Sequence, residues 1–209
     1  MISIPSHASV VVIGGGIMGC STLYHLGKLG VSDAILLERN KLTSGTTWHS
    51  AAQVRALRSS QNLTRMIQYS VELYSQLEQE TGQNVGWIQK GSLSIATTPD
   101  RLVHIKRQAA LAHAYGLDAT TISKSEALER WPLMNGDDVL GGVWSPDDGR
   151  VSPSDVCAAL TKGAKSSGNQ IFENCGVTAV LTKNGRITGV ETTQGTIMCD
   201  AIAVCSGIW

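Results

Sequence analysis

Apolar positions along the chain fall into two periods. Val10-Val11-Val12-Ile13 and Ile35-Leu36-Leu37 are unbroken apolar runs, which suit strands buried on both faces of a parallel sheet. Between them Leu23, Leu26 and Leu29 recur at helical spacing from Ile17 until Gly30, so residues 9–38 read as strand, turn, helix, strand. Over 59–81 the positions Leu63, Met66, Ile67, Ser70, Val71, Tyr74 and Leu77 predict a helix ended by Gly82, with its Met and Tyr facing a core. Residues 85–97 turn strand-like, Leu93 and Ile95 alternating with Ser92 and Ser94. Pro99-Asp100 opens a helix to about Tyr115, and Ser123-x-x-Glu126 is a capping box for Lys124–Arg130, closed by Trp131-Pro132.

A glycine-containing strand is predicted at 139–144 and a turn at 146–149. Ser152-Pro153-Ser154-Asp155 then caps a helix ending near Gly168. Val177–Lys183, Asn184-Gly185 and Arg186–Thr192 spell a hairpin with a type I′ turn. The last strand, 197–205, is apolar except for Asp200 and runs into Ser206-Gly207-Ile208-Trp209. A buried strand delivering an uncovered small-residue turn predicts that this is the N-terminal part of a longer protein. Its faces toward the remainder should leave a large apolar patch on isolated residues 1–209.

With 209 residues the chain can form one domain with a core, or one and a part. Seventeen basic residues balance seventeen acidic ones and neither sign clusters, so nothing points to a nucleic-acid or anionic-membrane partner. Cys20, Cys157, Cys175, Cys199 and Cys205 form no C-x-x-C pair and read as buried thiols of a reducing compartment. His104 and His113 lie nine apart without ligand partners, so no metal is expected. Neither a basic leader nor a membrane-length apolar run is present, which makes the cytoplasm the default location.

The chemistry begins at Gly14-x-Gly16-x-x-Gly19. The first glycine permits a tight turn, the second lets a pyrophosphate approach the backbone, and the third lets the helix pack close on the strand. Glu38, 24 residues after Gly14, stands where a carboxylate accepts hydrogen bonds from ribose hydroxyls. Among 22 glycines a chance match remains open, and so does a plain βαβ unit with a tight turn. Thr43-Ser44-Gly45-Thr46-Thr47-Trp48-His49-Ser50 is dense in hydroxyls, as either a diphosphate- or polyol-binding loop or a solvated one. Arg55 and Arg58 read either as bidentate donors to a substrate carboxylate or as solvated arginines leading into a helix.

These strings resemble one family across the whole chain. Val-Val-Val-Ile-Gly-Gly-Gly-Ile-Met-Gly, Leu-Leu-Glu-Arg at 36–39, Leu42-Thr-Ser-Gly-Thr-Thr-Trp-His49, 91–98, Asp148-Gly-Arg-Val-Ser-Pro153 and Cys205-Ser-Gly-Ile-Trp209 are similar to the N-terminal half of D-amino-acid-oxidase-type (DAO) flavoproteins, specifically sarcosine and dimethylglycine dehydrogenases. The resemblance implies an α/β fold: a Rossmann-like, glutathione-reductase-like FAD-binding domain from 1–84 and 145–209. Part of an antiparallel α+β substrate domain would be inserted at 85–144.

It implies FAD, not NAD. Adenosine would lie on Gly14, Gly16, Ile17, Met18 and Gly19, with Glu38 on its ribose and Arg39 among the cofactor-binding residues. Ser44, Gly45, Thr46, Thr47 and Trp48 would follow the diphosphate, Val177 would meet the adenine, and Ser206 and Gly207 would close over the cofactor. His49 would be joined covalently to the flavin 8α-methyl. The implied reaction is oxidation of a small N-methylated amino acid by hydride transfer to flavin. The catalytic base, the electron acceptor and any folate site would lie beyond Trp209. The run from Ser50 to Arg55 departs from the family pattern, which leaves the substrate open. The alternative implied over the same span is a non-catalytic regulatory subunit resembling that of pyruvate dehydrogenase phosphatase; His49 separates the two, because that relative lacks it. The location implied in a eukaryote is the mitochondrial matrix, although no transit peptide is visible.

Overall fold

The protein is described from a computed structural model over residues 3–208. Met1, Ile2 and Trp209, the last residue of the 205–209 string, lie outside the described residues. In chain order the elements are β1 (His7–Ile13), α1 (Ile17–Lys28), β2 (Ile35–Leu37), β3 (Gln53–Val54), α2 (Gln61–Thr81), β4 (Ile88–Gln89), β5 (Ser92–Ala96), α3 (Pro99–Ala114) and β6 (Thr120–Ile122). They continue with α4 (Lys124–Arg130), β7 (Gly141–Ser145), β8 (Gly149–Arg150), α5 (Pro153–Ser166), β9 (Gln170–Phe172), β10 (Val177–Lys183), β11 (Arg186–Thr192) and β12 (Gly195–Val204).

Two compact units result. The first takes the residues up to 51, Gln76–Gly86 and those from 152 onward; the second takes Ala52–Ser75 and Trp87–Val151. Residues 52–75 and 145–151 belong to the second because β3 and β4 both pair antiparallel with β8. These two-residue strands exist only through that pairing, and no periodicity announces them.

The first unit holds a six-stranded sheet in the order β10-β11-β12-β1-β2-β9. β12, β1, β2 and β9 run parallel, and β10, β11 and β12 form an antiparallel meander. Val11, Val12, Ile35, Leu36 and Leu37 are all at most 2% exposed, so both faces of the central strands are covered, as their unbroken apolar runs require. Each such side chain contributes roughly 1.5–3 kcal/mol by leaving water. One face joins Phe172, Cys175, Val190, Ile197 and Cys199. On the other, α1 packs on β1 and β2 and against α5. The helices approach closely at Gly163, where a Cβ would stand 2.7 Å from the Tyr24 ring. In the hairpin, Asn184 and Gly185 have φ of 53° and 73°, as a type I′ turn demands.

The second unit holds an antiparallel sheet, β5-β7-β6, and the three-stranded β3-β8-β4. On α3, Ile105, Ala109 and Ala112 face Ala96, Ala119 and Val143, while the Thr98 hydroxyl caps the helix by accepting from the Arg101 N–H at 3.2 Å. The capping box of α4 closes as its sequence predicts.

Several expectations need correction. Leu29 is the C-cap of α1 and is exposed, and the buried residues of the helix are Gly19, Cys20, Leu23 and Tyr24. On α2, Leu63 and Met66 are exposed and Thr64, Leu73 and Leu77 are buried. A broad apolar stripe fixes a helix but not which edge of it is covered. The strand expected over 85–97 breaks at Gly91, whose φ of 73° separates β4 from β5. Ser152 stands at the N-cap of α5 without a side-chain cap bond, and its own N–H donates to the Val85 carbonyl at 2.9 Å.

Candidate functional site

Three parallel strands, β12, β1 and β2, end at one sheet edge, and the glycine turn starts there. The Gly14 N–H donates to the Leu37 carbonyl at 2.9 Å and the Cys205 N–H to the Ile13 carbonyl at 2.7 Å. Gly14 has φ of 112°, and a Cβ on it would collide with the Cys205 carbonyl oxygen. Gly19 likewise has no room, since a Cβ there would collide with the Gly14 carbonyl oxygen. Gly16 is the N-cap of α1, in extended backbone and with no side-chain cap bond. The first N–H groups of α1 have no intrahelical acceptors, and the helix dipole places its positive end there.

Side chains brace this turn from two directions. The Glu38 carboxylate accepts from the Gly15 N–H at 2.7 Å and from the Asn40 N–H at 2.8 Å. The Thr47 hydroxyl accepts from the Ile17 N–H at 3.0 Å, which ties the hydroxyl loop to the start of α1. Between turn and loop opens a groove of about 390 Å³, a size typical of small-molecule and cofactor sites. Gly14, Gly16, Ile17, Met18, Glu38, Arg39, Ser44, Gly45, Thr46, Thr47, Val177, Ser206 and Gly207 all line it.

Gly19, Trp48 and His49 do not line it. Gly19 packs beneath the turn, while Trp48 and His49 follow in a short 3-10 turn, Thr47–His49, with exposed rings meeting edge to face at 3.9 Å between centroids. Gly15 and Cys205, from the quoted strings, also line the groove, as do Asn40 and Gly176, which no motif marks. Backbone without Cβ atoms at the turn, the positive N-terminal end of α1 and a run of hydroxyls together fit the diphosphate of a dinucleotide. Among the described residues no cluster of three or more His, Cys, Asp or Glu side chains could hold a metal ion.

Arg55 and Arg58 are placed within the second unit. Arg55 donates to the Ser94 hydroxyl at 2.7 Å and stands 3.8 Å from the Asp148 carboxylate. Asp148 is 3% exposed and accepts from the Ala56 N–H at 2.9 Å and the Ser92 hydroxyl at 2.5 Å. Arg58 donates to the Leu57 carbonyl at 2.8 Å. Arg55 is half-buried among these partners, whereas Arg58 is an exposed side chain just ahead of α2.

Residues 9–209 match the family described as DAO, FAD dependent oxidoreductase. The chain belongs to this family. Mouse sarcosine dehydrogenase is 44% identical to the DAO-family chain over 212 residues, covering 99% of it and 23% of the mouse protein. The regulatory subunit of mouse pyruvate dehydrogenase phosphatase is 42% identical over 208 residues, covering 100% of the chain and 24% of that protein. The chain thus spans about a quarter of the length of these curated relatives. The crystal structure of L-proline dehydrogenase from P. horikoshii superposes with a TM-score of 0.93 at 28% identity, over 99% of this chain and 54% of that one. The mixed α/β architecture is that of the DAO-family FAD domain. No helix among the described residues is long and apolar enough to cross a membrane.

Proposed function

We propose that the chain is the FAD-binding portion of an amine oxidoreductase acting on a small N-methylated amino acid of the sarcosine or dimethylglycine type. The observation that carries this reading is the groove built from the glycine turn, the 44–47 hydroxyls and the 205–207 turn. It occurs in a chain 44% identical to a sarcosine dehydrogenase.

Gly14, Gly16, Ile17 and Met18 would offer backbone and the positive end of α1 to the diphosphate, with Gly19 letting the helix pack close beneath the turn. Glu38 keeps acceptor capacity beyond its two backbone bonds and would hold the ribose, with Arg39 and Val177 at the adenine end. Ser44, Gly45, Thr46, Thr47 and Trp48 would follow the diphosphate, and Ser206 and Gly207 would close the groove. When bound, the flavin supplies the electron-accepting chemistry for oxidation of a C–H next to nitrogen. His49 would be the point of covalent attachment to the flavin 8α-methyl; its exposed ring is open to a bound group. The base, the electron acceptor and any folate site would come from outside the described residues. The proposed compartment is the cytoplasm, or the mitochondrial matrix in a eukaryote, in keeping with the mitochondrial sarcosine dehydrogenase.

The test is to denature the full-length protein in acid, precipitate it, and measure whether flavin absorbance stays with the polypeptide, with His49→Ala in parallel. The reading expects retention in the parent and release in the variant. Flavin released from both would remove the covalent link and leave a dissociable-FAD enzyme. One observation favours a second reading, a non-catalytic regulatory subunit: the 42% identity to such a protein over the whole chain. Absence of flavin from the full-length parent would favour it.

A further inference from the structure

Glu173 lies outside the groove, immediately after β9, and carries no motif. Its carboxylate accepts from the Leu42 N–H at 2.7 Å and from the Lys41 ammonium at 3.1 Å. Just past the β2–β9 pairing the 173–175 segment lies against the 38–40 segment. The Glu38 N–H donates to the Phe172 carbonyl, the Cys175 N–H to the Glu38 carbonyl, and the Asn174 N–H to the Asn40 carbonyl, each at 2.9 Å. Asn174, at a left-handed φ of 55°, turns the chain so that Asn174 and then Cys175 bond to Asn40 and then Glu38, in the sense opposite to the parallel ladder.

What Glu173 holds is the exit of β2 at the point where it touches the glycine turn. Leu42 lies against Gly15, where a Cβ would stand only 2.7 Å from its Cδ2. Next in the chain, the Thr43 N–H donates to the Gly15 carbonyl at 2.9 Å, from a left-handed φ of 66°. Gly15 is thereby gripped on its N–H by Glu38 and on its carbonyl by Thr43, and the chain then enters the 44–47 segment that lines the groove. A strained Thr43 is kept in place only when its neighbours over-determine it. Burial raises the Glu173 carboxyl, but bonds from Leu42 and Lys41 outweigh this and hold it below its ordinary range.

We propose that Glu173 is a positioning residue of the cofactor groove, fixing through the Leu42 N–H the turn that braces Gly15 and sets the 44–47 hydroxyls. It acts through Leu42 and Thr43 and touches no cofactor itself. The Leu42 bond is the working contact. The Lys41 ion pair is mostly solvent-exposed at 68% and 32%, and such pairs contribute little. The inference rests on the FAD reading of the groove.

The experiment uses full-length protein in a His49→Ala background, produced under riboflavin depletion so that FAD binding is reversible. FAD is titrated by flavin fluorescence, and amide exchange is followed in the cofactor-free form. Glu173→Ala should weaken FAD binding about tenfold, as loss of one charged hydrogen bond implies. It should also speed exchange at the Leu42 and Thr43 amides. Glu173→Gln retains the acceptor for Leu42 and should stay within about threefold of the parent, as should Lys41→Ala. Unchanged affinity in Glu173→Ala beside a parent that binds FAD would overturn the positioning role alone. Equal losses in all three variants, parallel to lost thermal stability, would reduce Glu173 to a structural residue. A parent that binds no FAD would overturn the cofactor reading and this role with it.

Discussion

Gly14 and Gly16 stand two residues apart in one turn, yet alanine at each should fail in a different way. Gly14 has φ of 112°, a region costing an alanine about 1–3 kcal/mol. Its new methyl would meet the Cys205 carbonyl group, including its carbon at 2.8 Å, and the Ser206 Cα at 3.2 Å. All of these are backbone, tied to β1 by the 2.7 Å hydrogen bond from the Cys205 N–H to the Ile13 carbonyl, and cannot swing aside. Overpacking of this kind adds roughly 1–3 kcal/mol, so Gly14→Ala should cost about 4 kcal/mol in all. For a domain of 150–250 residues that lowers Tm by about 8–16 °C.

Gly16, at an ordinary φ of −81°, presents a methyl only to the Thr47 hydroxyl at 3.0 Å. That side chain can rotate at the expense of its bond to the Ile17 N–H, about 1 kcal/mol or about 2–4 °C. The methyl would, however, stand between backbone and diphosphate, so FAD affinity should fall more than about tenfold. The assay is thermal unfolding of cofactor-free full-length protein together with FAD titration. A Gly14→Ala protein within 2 °C of the parent would refute the packing argument. A Gly16→Ala protein that binds FAD like the parent would refute the role of the turn.

Asp148→Ala should lower stability by about 3 kcal/mol, because it strands the buried Ala56 N–H and the Ser92 hydroxyl, while Ser92→Ala should cost about 1; urea midpoints compare them. Leu160→Ala, at a fully buried position of α5, should cost about 2–5 kcal/mol in the same assay. Hydrogen bonds from Tyr24 and Lys28 hold the Glu80 carboxyl below its ordinary 4.5. Its contribution is therefore present above that value and lost as pH falls through the lower folded one. Glu80→Gln should flatten the decline of Tm as pH falls below 4.5, and an unchanged acid slope would exclude the effect. Lys28, raised above 10.5 by the same Glu80, loses its contribution only as pH climbs past that value, so the variant should also flatten the alkaline limb.

What could be read from the chain is what local chemistry decides. Gly14 and Gly19 are each required by a contact that any side chain would break, and a spaced glycine pattern advertises that directly. Asn184-Gly185 and Ser123-x-x-Glu126 are similar, since the residues that make the turn or cap are adjacent in sequence. The unread parts depend on partners far along the chain. β9 is three residues long and is a strand only because β2 lies beside it. Glu173 reaches Leu42 across 131 positions, and no spacing rule connects them. Leu63 and Met66 have the right period for a covered face, but period does not say where the cover stops. Glu38 was legible as an acid at the end of the second strand; its bonds to the Gly15 and Asn40 N–H groups required the folded turn.

The central claim is that the groove at the carboxyl edge of β12, β1 and β2 seats the cofactor. Its most direct measurement is amide hydrogen exchange of the cofactor-free full-length protein with and without saturating FAD. The account predicts new protection at 14–19, at 43–48 and at 205–207, with β5, β6 and β7 unchanged. Protection confined to other segments, or no protection at the glycine turn while FAD is demonstrably bound, would contradict it.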